Sequence, residues 1–347
     1  MMSQNSFLPR HMFMLFQPPL MGAVYLFVYF AVCRLKIDFV LINFGKWCII
    51  ILRQKPKGKF AMNRRTSMLT TAFLVGGTLP WLYRGMSQPE VSRYSVASPL
   101  LPREFHGLRI VHLSDLHNKV FGKNNLPLLR LIAREKPHMV FMTGDMLSHR
   151  APHIEEFIDL VGKICKLCPV YYVNGNHELS DLDEIDFEYV AESLASLGAV
   201  CLDNSYADIV RGGSELRICG LCYTAEYYRG VREYKRGWKA FLLTDMINYL
   251  GVKEPDMFTI LLAHNPLDFD VHAEWGADLS FGGHVHGGLV RLPRINGILS
   301  PERRLMPKYK EGVYRTGNSF LVASRGLGRF RVHNPPEIVS VKLLKEK

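Results

Sequence analysis

Pro169-Val170-Tyr171-Tyr172-Val173, followed by Asn174-Gly175-Asn176-His177-Glu178, is the stretch from which the rest of the chain can be read. The apolar run reads as a buried strand bounded by a turn signal. Gly175 lets the backbone fold tightly at the strand end, so Asn176 and His177 project together at its carboxyl edge. Asn176 offers a neutral oxygen suited to a hard or borderline divalent cation, and His177 offers an imidazole that takes a proton near neutral pH. An Asn-His pair alone is an ordinary loop feature. Its weight comes from recurrence.

Upstream, Leu108-Arg109-Ile110-Val111-His112-Leu113 reads as a strand ending in Ser114-Asp115-Leu116-His117, and Met139-Val140-Phe141-Met142-Thr143 as another ending in Gly144-Asp145. Between them Leu126–Lys136 has helical spacing and stops at Pro137; Ile154–Leu167 carries an apolar helical stripe. Strand and helix alternating at roughly thirty residues per unit indicate an α/β fold with partly parallel strands. Ala199–Leu202 and Ile218–Leu221 read as further strands. Downstream, Met257–Leu262 ends in Ala263-His264-Asn265-Pro266, and Ala277–Phe281 ends in Gly282-Gly283-His284-Val285-His286-Gly287-Gly288. Alternate spacing there predicts His284 and His286 on one side of an extended backbone. Asn318–Ser324 and Pro336–Leu344 supply terminal strands. The acid-rich run 178–192 reads as a helix start with a solvated face, and 224–250, mixing aromatic and basic residues, as a solvated amphipathic helix.

The formal net charge of +11 is unevenly spread. Residues 1–84 hold 11 Lys/Arg and a single acid, Asp38, leaving 32 basic and 31 acidic residues for 85–347. The larger part is therefore nearly neutral, and a nucleic-acid partner is not indicated. Residues 1–84 contain apolar stretches at Met12–Cys33, Ile37–Leu52 and Thr66–Tyr83, with six basic residues and no acid in Arg53–Arg65. The positive-inside rule keeps that basic segment cytoplasmic and predicts a cell-membrane protein whose following domain lies outside the cytoplasm. A start at Met62 followed by a twin-arginine-like Asn63–Leu69 leads to the same side. We thus expect a membrane-anchoring or targeting segment at 1–84, a proline-containing linker at 85–104 and a globular domain at 105–347. Seven cysteines include the pairs Cys165/Cys168 and Cys219/Cys222. Their odd number and wide separation predict buried thiols rather than a disulfide scaffold or a zinc ribbon.

Collected, the strand ends present Asp115, His117, Asp145, Asn176, His177, His264, His284 and His286. Carboxylates, an amide and imidazoles without thiolate suit Mn, Fe or Zn. Eight such groups exceed the needs of one ion; two ions sharing a carboxylate would use nearly all of them.

Asp115-x-His117, Gly144-Asp145, Gly175-Asn176-His177-Glu178, a lone His264 and Gly283-His284-x-His286 together resemble the signature of the calcineurin-like metallophosphoesterases. With Gly288-x-x-Arg291-Leu292-Pro293 and Ser324-Arg325-Gly326-Leu327-Gly328, the domain looks most like their membrane-tethered bacterial YkuE/YaeI-like branch. The resemblance implies two mixed β-sheets packed as a sandwich and flanked by helices. It implies one metal on Asp115, His117 and His286, a second on Asn176, His264 and His284, and Asp145 bridging them. It makes His177 the non-ligand general acid in hydrolysis of a phosphodiester, phosphomonoester or pyrophosphate by a metal-activated hydroxide. The expected substrate is a phosphorylated small molecule or a lipid-linked or envelope phosphoester, a UDP-diacylglucosamine-type pyrophosphate among them. Arg291 and Arg325 are candidates for phosphate contact. The non-enzymatic alternative is a scaffold or docking domain stabilised by metal.

Overall fold

The computed structural model describes residues 37–44, 47–54, 88–148, 153–180, 186–228, 239–288, 297, 306–328 and 334–346 of the 347-residue chain. It divides into two units, Met1–Leu79 and Pro80–Lys347. In the first, β1 (Ile37–Phe44) and β2 (Trp47–Gln54) pair antiparallel, with Ile42 opposite Ile49. The second of the three apolar stretches is thus a pair of short strands, as its β-branched Ile and Val content favours. The other two lie outside the described residues. Among those described, no helix is long and apolar enough to cross a membrane.

The second unit carries two six-stranded sheets. The first runs in the order β3 (Glu90–Ser98), β14 (Glu337–Lys345), β4 (Arg109–Leu113), β5 (Met139–Thr143), β6 (Val170–Val173), β7 (Ala199–Cys201). Its strands pair parallel except for β14 against β4. The second runs β12 (Gly312–Thr316), β13 (Ser319–Ala323), β11 (Leu279–Gly282), β10 (Phe258–Ala263), β9 (Ser214–Leu221), β8 (Ser205–Arg211). Its outermost pairs are antiparallel and its inner ones parallel. Both sheets are mixed.

Side-chain alternation along the strands makes the layers. Ile110, Phe141, Val173 and Val339 from one sheet meet Ile218, Ile260, Leu262 and Phe281 from the other in a core between the sheets. The opposite face of the first sheet, with Val111 and Val140, is covered by α1 (Leu126–Glu135) and α2 (Ile154–Cys165) through Leu128, Ile132, Phe157, Leu160 and Ile164. The outer face of the second sheet, with Leu261 and Ala263, is covered by α5 (Leu243–Leu250) and α6 (Phe269–Trp275) through Met246 and Trp275. Each such full burial contributes roughly 1.5–3 kcal/mol. Two short helices complete the set: α3 (Asn176–Ser180), and α4 (Phe187–Ser196), which is capped by Asp186 accepting from the Tyr189 N–H at 2.9 Å.

Several expectations change. The stretch 85–104 is not all linker: Glu90–Ser98 pairs with β14 along its whole length. Pro89 and Pro99 bracket an alternating Tyr94-x-Val96-x-Ser98 whose Val96 and Ser98 are buried. Of the stretch 224–250, the described residues form a 3-10 turn at Ala225–Tyr227 and a helix at Leu243–Leu250, and Tyr228 and Phe241 are buried in the core against the second sheet rather than solvated. The sulfurs of Cys168, Cys219 and Cys222 are buried free thiols, and those of Cys165 and Cys201 are free and half-buried. Burial raises the pKa of Cys219 to about 12, so it is an unreactive thiol.

Candidate active site

Because β4, β5 and β6 run parallel in one sheet, and β10 and β11 in the other, their carboxyl ends open at the same edge of the sandwich. The two sheets are stitched there by the side chains of interest. His264, beyond β10, places Nδ1 2.7 Å from the Thr143 carbonyl at the end of β5. The His284 N–H, beyond β11, donates to both oxygens of Asp115, beyond β4, at 3.0 and 3.2 Å.

The backbone at this edge is strained. Asp115, His117, Asp145, His284 and His286 all have φ between +48° and +58°, a region that L-residues avoid and that concentrates at functional sites. Close approach is the second local device. A Cβ on Gly283 would overlap Ser114 Oγ and Asp115 Oδ2, so only glycine lets the β11 loop reach Asp115.

Six side chains converge. His286 Nε2 is 3.1 Å from Asp115 Oδ1 and 3.3 Å from His117 Nε2. His117 Nε2 is 3.8 Å, and His264 Nε2 3.1 Å, from Asp145 Oδ2. Ligand-capable atoms of Asp115, His117, Asp145 and His286 lie within 4.8 Å of one another, and so do those of Asp145, His264 and His284. Asp145 belongs to both groups. The donor set fits a pair of hard or borderline cations. With Nδ1–H of His264 donated to a carbonyl, the proton that the ring would give up to a cation is the one on Nε2, beside Asp145, which leaves the tautomer a metal requires. Asn176 Oδ1 is buried without a hydrogen-bond partner among the described residues, an acceptor whose lone pairs suit a cation.

A family model, the calcineurin-like phosphoesterase, matches residues 108–288, more than half of the chain. The chain belongs to this family. It is 28% identical to the metallophosphoesterase YkuE of Bacillus subtilis, with 81% of this chain and 91% of YkuE covered. It is 24% identical to the phosphodiesterase YaeI of Escherichia coli, covering 68% of this chain and 82% of that protein. It is 22% identical to the UDP-2,3-diacylglucosamine pyrophosphatase LpxG of Chlamydia muridarum, covering 80% of this chain and 96% of that one.

Electrostatics in this phosphoesterase follow from burying carboxylates among imidazoles. Burial pushes Asp115 up, but His286 and His264 outweigh it and hold the group below its usual range. Asp145 is likewise held low, against burial, by His264 and His177. Burial works against the charge of His264, yet Asp145 and Asp115 raise its pKa to about 10. Burial takes His117 down to about 3. The pocket therefore demands positive charge beside Asp145, and a divalent cation meets that demand as well as a proton does.

His284 and His286 do not share a side of an extended strand. Left-handed backbone at both sends His284 into the group with His264, at 5.1 Å between ring centroids, and His286 to Asp115. His177 is the most open of the imidazoles, its side chain 38% exposed, with Nε2 4.0 Å from Asp145 Oδ2 and its ring edge-on to His117. Arg325 is turned to carboxylates instead: Nε lies 3.1 Å from Glu337 and 3.5 Å from Glu311, and Nη2 3.9 Å from Glu90. Arg291 lies outside the described residues.

Glu178 departs from the expected solvated face. It is 1% exposed and accepts from the N–H groups of Asp145, Gly175 and Leu147 at 2.8, 2.9 and 2.9 Å. Burial and the Asp145 charge raise its pKa to about 7 against the pull of those donors. Its place directly after Asn176-His177 at a strand end, rather than its membership of an acidic run, was the signal. Tyr228, whose ring lies 5.2 Å from that of His284 and 6.0 Å from that of His264, was hidden in an aromatic-basic segment.

Proposed function

We propose that this phosphoesterase hydrolyses a phosphodiester or pyrophosphate bond with two divalent cations, Mn, Fe or Zn, as cofactors. Asp115, His117 and His286 would hold one, and Asn176, His264 and His284 the other, with Asp145 shared. The observation that carries this reading is the membership of Asp145 in both ligand-capable groups. When bound, such a pair makes water nucleophilic at neutral pH and offsets charge building on the phosphoryl oxygens.

The chain's own groups do the rest. Glu178 accepts from the Asp145 backbone N–H at 2.8 Å, and the His177 N–H donates to Asp145 Oδ1 at 2.9 Å, so the backbone and the carboxylate of the shared residue are each held. His177 stands at the open rim and donates a proton to the leaving oxygen as its bond to phosphorus breaks. The Thr143 carbonyl keeps the His264 tautomer.

A phosphodiester or pyrophosphate is favoured over a monoester because the relatives YaeI and LpxG are named as a phosphodiesterase and a pyrophosphatase. A lipid-linked or envelope substrate, and membrane attachment with the catalytic domain outside the cytoplasm, follow from the basic excess of residues 1–84 set against a nearly neutral remainder. Metal analysis with turnover of bis-p-nitrophenyl phosphate and of the monoester tests the reaction. We expect His177→Ala to keep both ions and lose at least ~100-fold in turnover, and Asp145→Asn to lose ions and turnover together. Full activity of Asp145→Asn after metal depletion refutes the reading, and an ion-loaded chain that turns over neither ester leaves only a metal-stabilised scaffold.

A further inference from the structure

The loop that carries His286 is held by a residue far outside the family match. His286, Gly287 and Gly288 have φ of +55°, +64° and +80° in succession. A left-handed run of this kind removes its carbonyls from any ladder, so they need other donors. Asn334 supplies both: its Nδ2 donates to the His286 carbonyl at 2.6 Å and to the Gly288 carbonyl at 3.0 Å. Asn334 is 1% exposed, and its Oδ1 is buried without a partner among the described residues. Turning the amide over would set its oxygen against two carbonyl oxygens, so the orientation is determined by chemistry. A neutral NH2 is what two converging carbonyls ask for; serine has one hydrogen to offer and an ionised aspartate has none.

The same segment holds the other side of the ligand group. Glu337 Oε2 accepts from the Arg325 N–H at 2.8 Å, and the Glu337 N–H donates to the Gly326 carbonyl at 2.9 Å. Gly326 packs directly on the Asp115 side chain, and Gly328 on the rings of His117 and His286. Residues 334 and 337 thus hold the loop that carries His286 and the loop that packs on Asp115, on either side of the 3.1 Å contact between His286 and Asp115.

We propose that Asn334 is a positioning residue, whose amide sets the backbone of His286 and so the cation affinity of the Asp115–His117–His286 group. This rests on the two-cation reading above. The bonds that hold the other group, from His264 to the Thr143 carbonyl and from the His284 N–H to Asp115, do not involve the Asn334 amide.

The test is calorimetric titration of Mn2+ into the EDTA-stripped full chain, alongside activity at graded Mn2+. The unsubstituted chain takes two ions. For Asn334→Ala we expect one ion to bind as before and the other to weaken about 10–100-fold, as for other residues that orient ligands. Raising Mn2+ by about the same factor restores turnover with KM unchanged, while the affinity for the other ion stays as it was, a selectivity that general destabilisation does not produce. Asn334→Ser, which keeps one donor, falls between and carries the test should the alanine variant not fold. Two unaltered Mn2+ affinities in either variant overturn the proposal, even if the unfolding midpoint drops. If the unsubstituted chain itself takes fewer than two ions, the two-cation reading fails and this inference with it, an outcome distinct from failure at Asn334 alone.

Discussion

Replacing Gly326 with alanine separates backbone strain from damage to the site. Gly326 has φ +71°, and a Cβ there would stand 2.6 Å from Asp115 Cβ, 2.7 Å from its Oδ2 and 3.0 Å from its Cγ. Ordinary contact begins at 3.4 Å, so the Asp115 side chain must retreat by the difference from 2.6 Å, 0.8 Å. Rotation does not relieve a clash with Cβ, and the Asp115 backbone is tied to the Gly144 carbonyl at 3.0 Å. A shift of that size exceeds the ~0.5 Å within which a ligand set keeps its geometry. Gly317, at φ +59° with nothing within 4 Å of its Cβ position, supplies the control. Gly317→Ala suffers only the left-handed penalty, about 1–2 kcal/mol. Gly326→Ala adds overpacking of about 1–3 kcal/mol, for a total of about 2–5 kcal/mol. Urea unfolding of the stripped chains measures both, and Mn2+ titration should show affinity at the Asp115 group down at least ~10-fold in Gly326→Ala alone. Equal stabilities and equal Mn2+ binding in the two variants refute the reasoning.

Acid sensitivity is carried in part by His272 on α6, which is 0% exposed and has neither ring nitrogen hydrogen-bonded among the described residues. Burial lowers its pKa to about 3 from 6.5. The folded state refuses a proton that the unfolded chain accepts, so stability is full above pH 6.5 and is lost as pH falls toward 3. Between pH 7.5 and 5 the loss from this residue is about 2 kcal/mol, and His272→Phe should lose that much less in urea melts at the two pH values; equal losses refute it. Glu178→Ala leaves the N–H groups of Asp145, Gly175 and Leu147 without their acceptor, at about 1–3 kcal/mol each. A lowered urea midpoint together with weakened Mn2+ binding is expected, and an unchanged midpoint counts against the assigned bonds.

Much of the site was legible because its information is local. Each donor sits within four residues of a strand end, and apolar runs such as Met139–Thr143 announce where the strand stops. What was misread required a distant partner. Glu178 looks like one acid in a run until the N–H groups of another loop surround it. Glu90–Ser98 looks like a linker until β14, from the far end of the chain, pairs with it.

The sequence by itself determined the strand-helix alternation, the order of the polar clusters and the chemical kind of every donor, since these depend on residue type and short-range periodicity. The tertiary structure decided the grouping. Left-handed backbone at His284 and His286 divides neighbours two residues apart between two groups that could each hold a metal ion. Asn334, 48 residues after His286, anchors the loop that makes the division. Such pairings are settled by how two sheets pack and which buried carbonyls need donors, and neither quantity is written in a local stretch of chain.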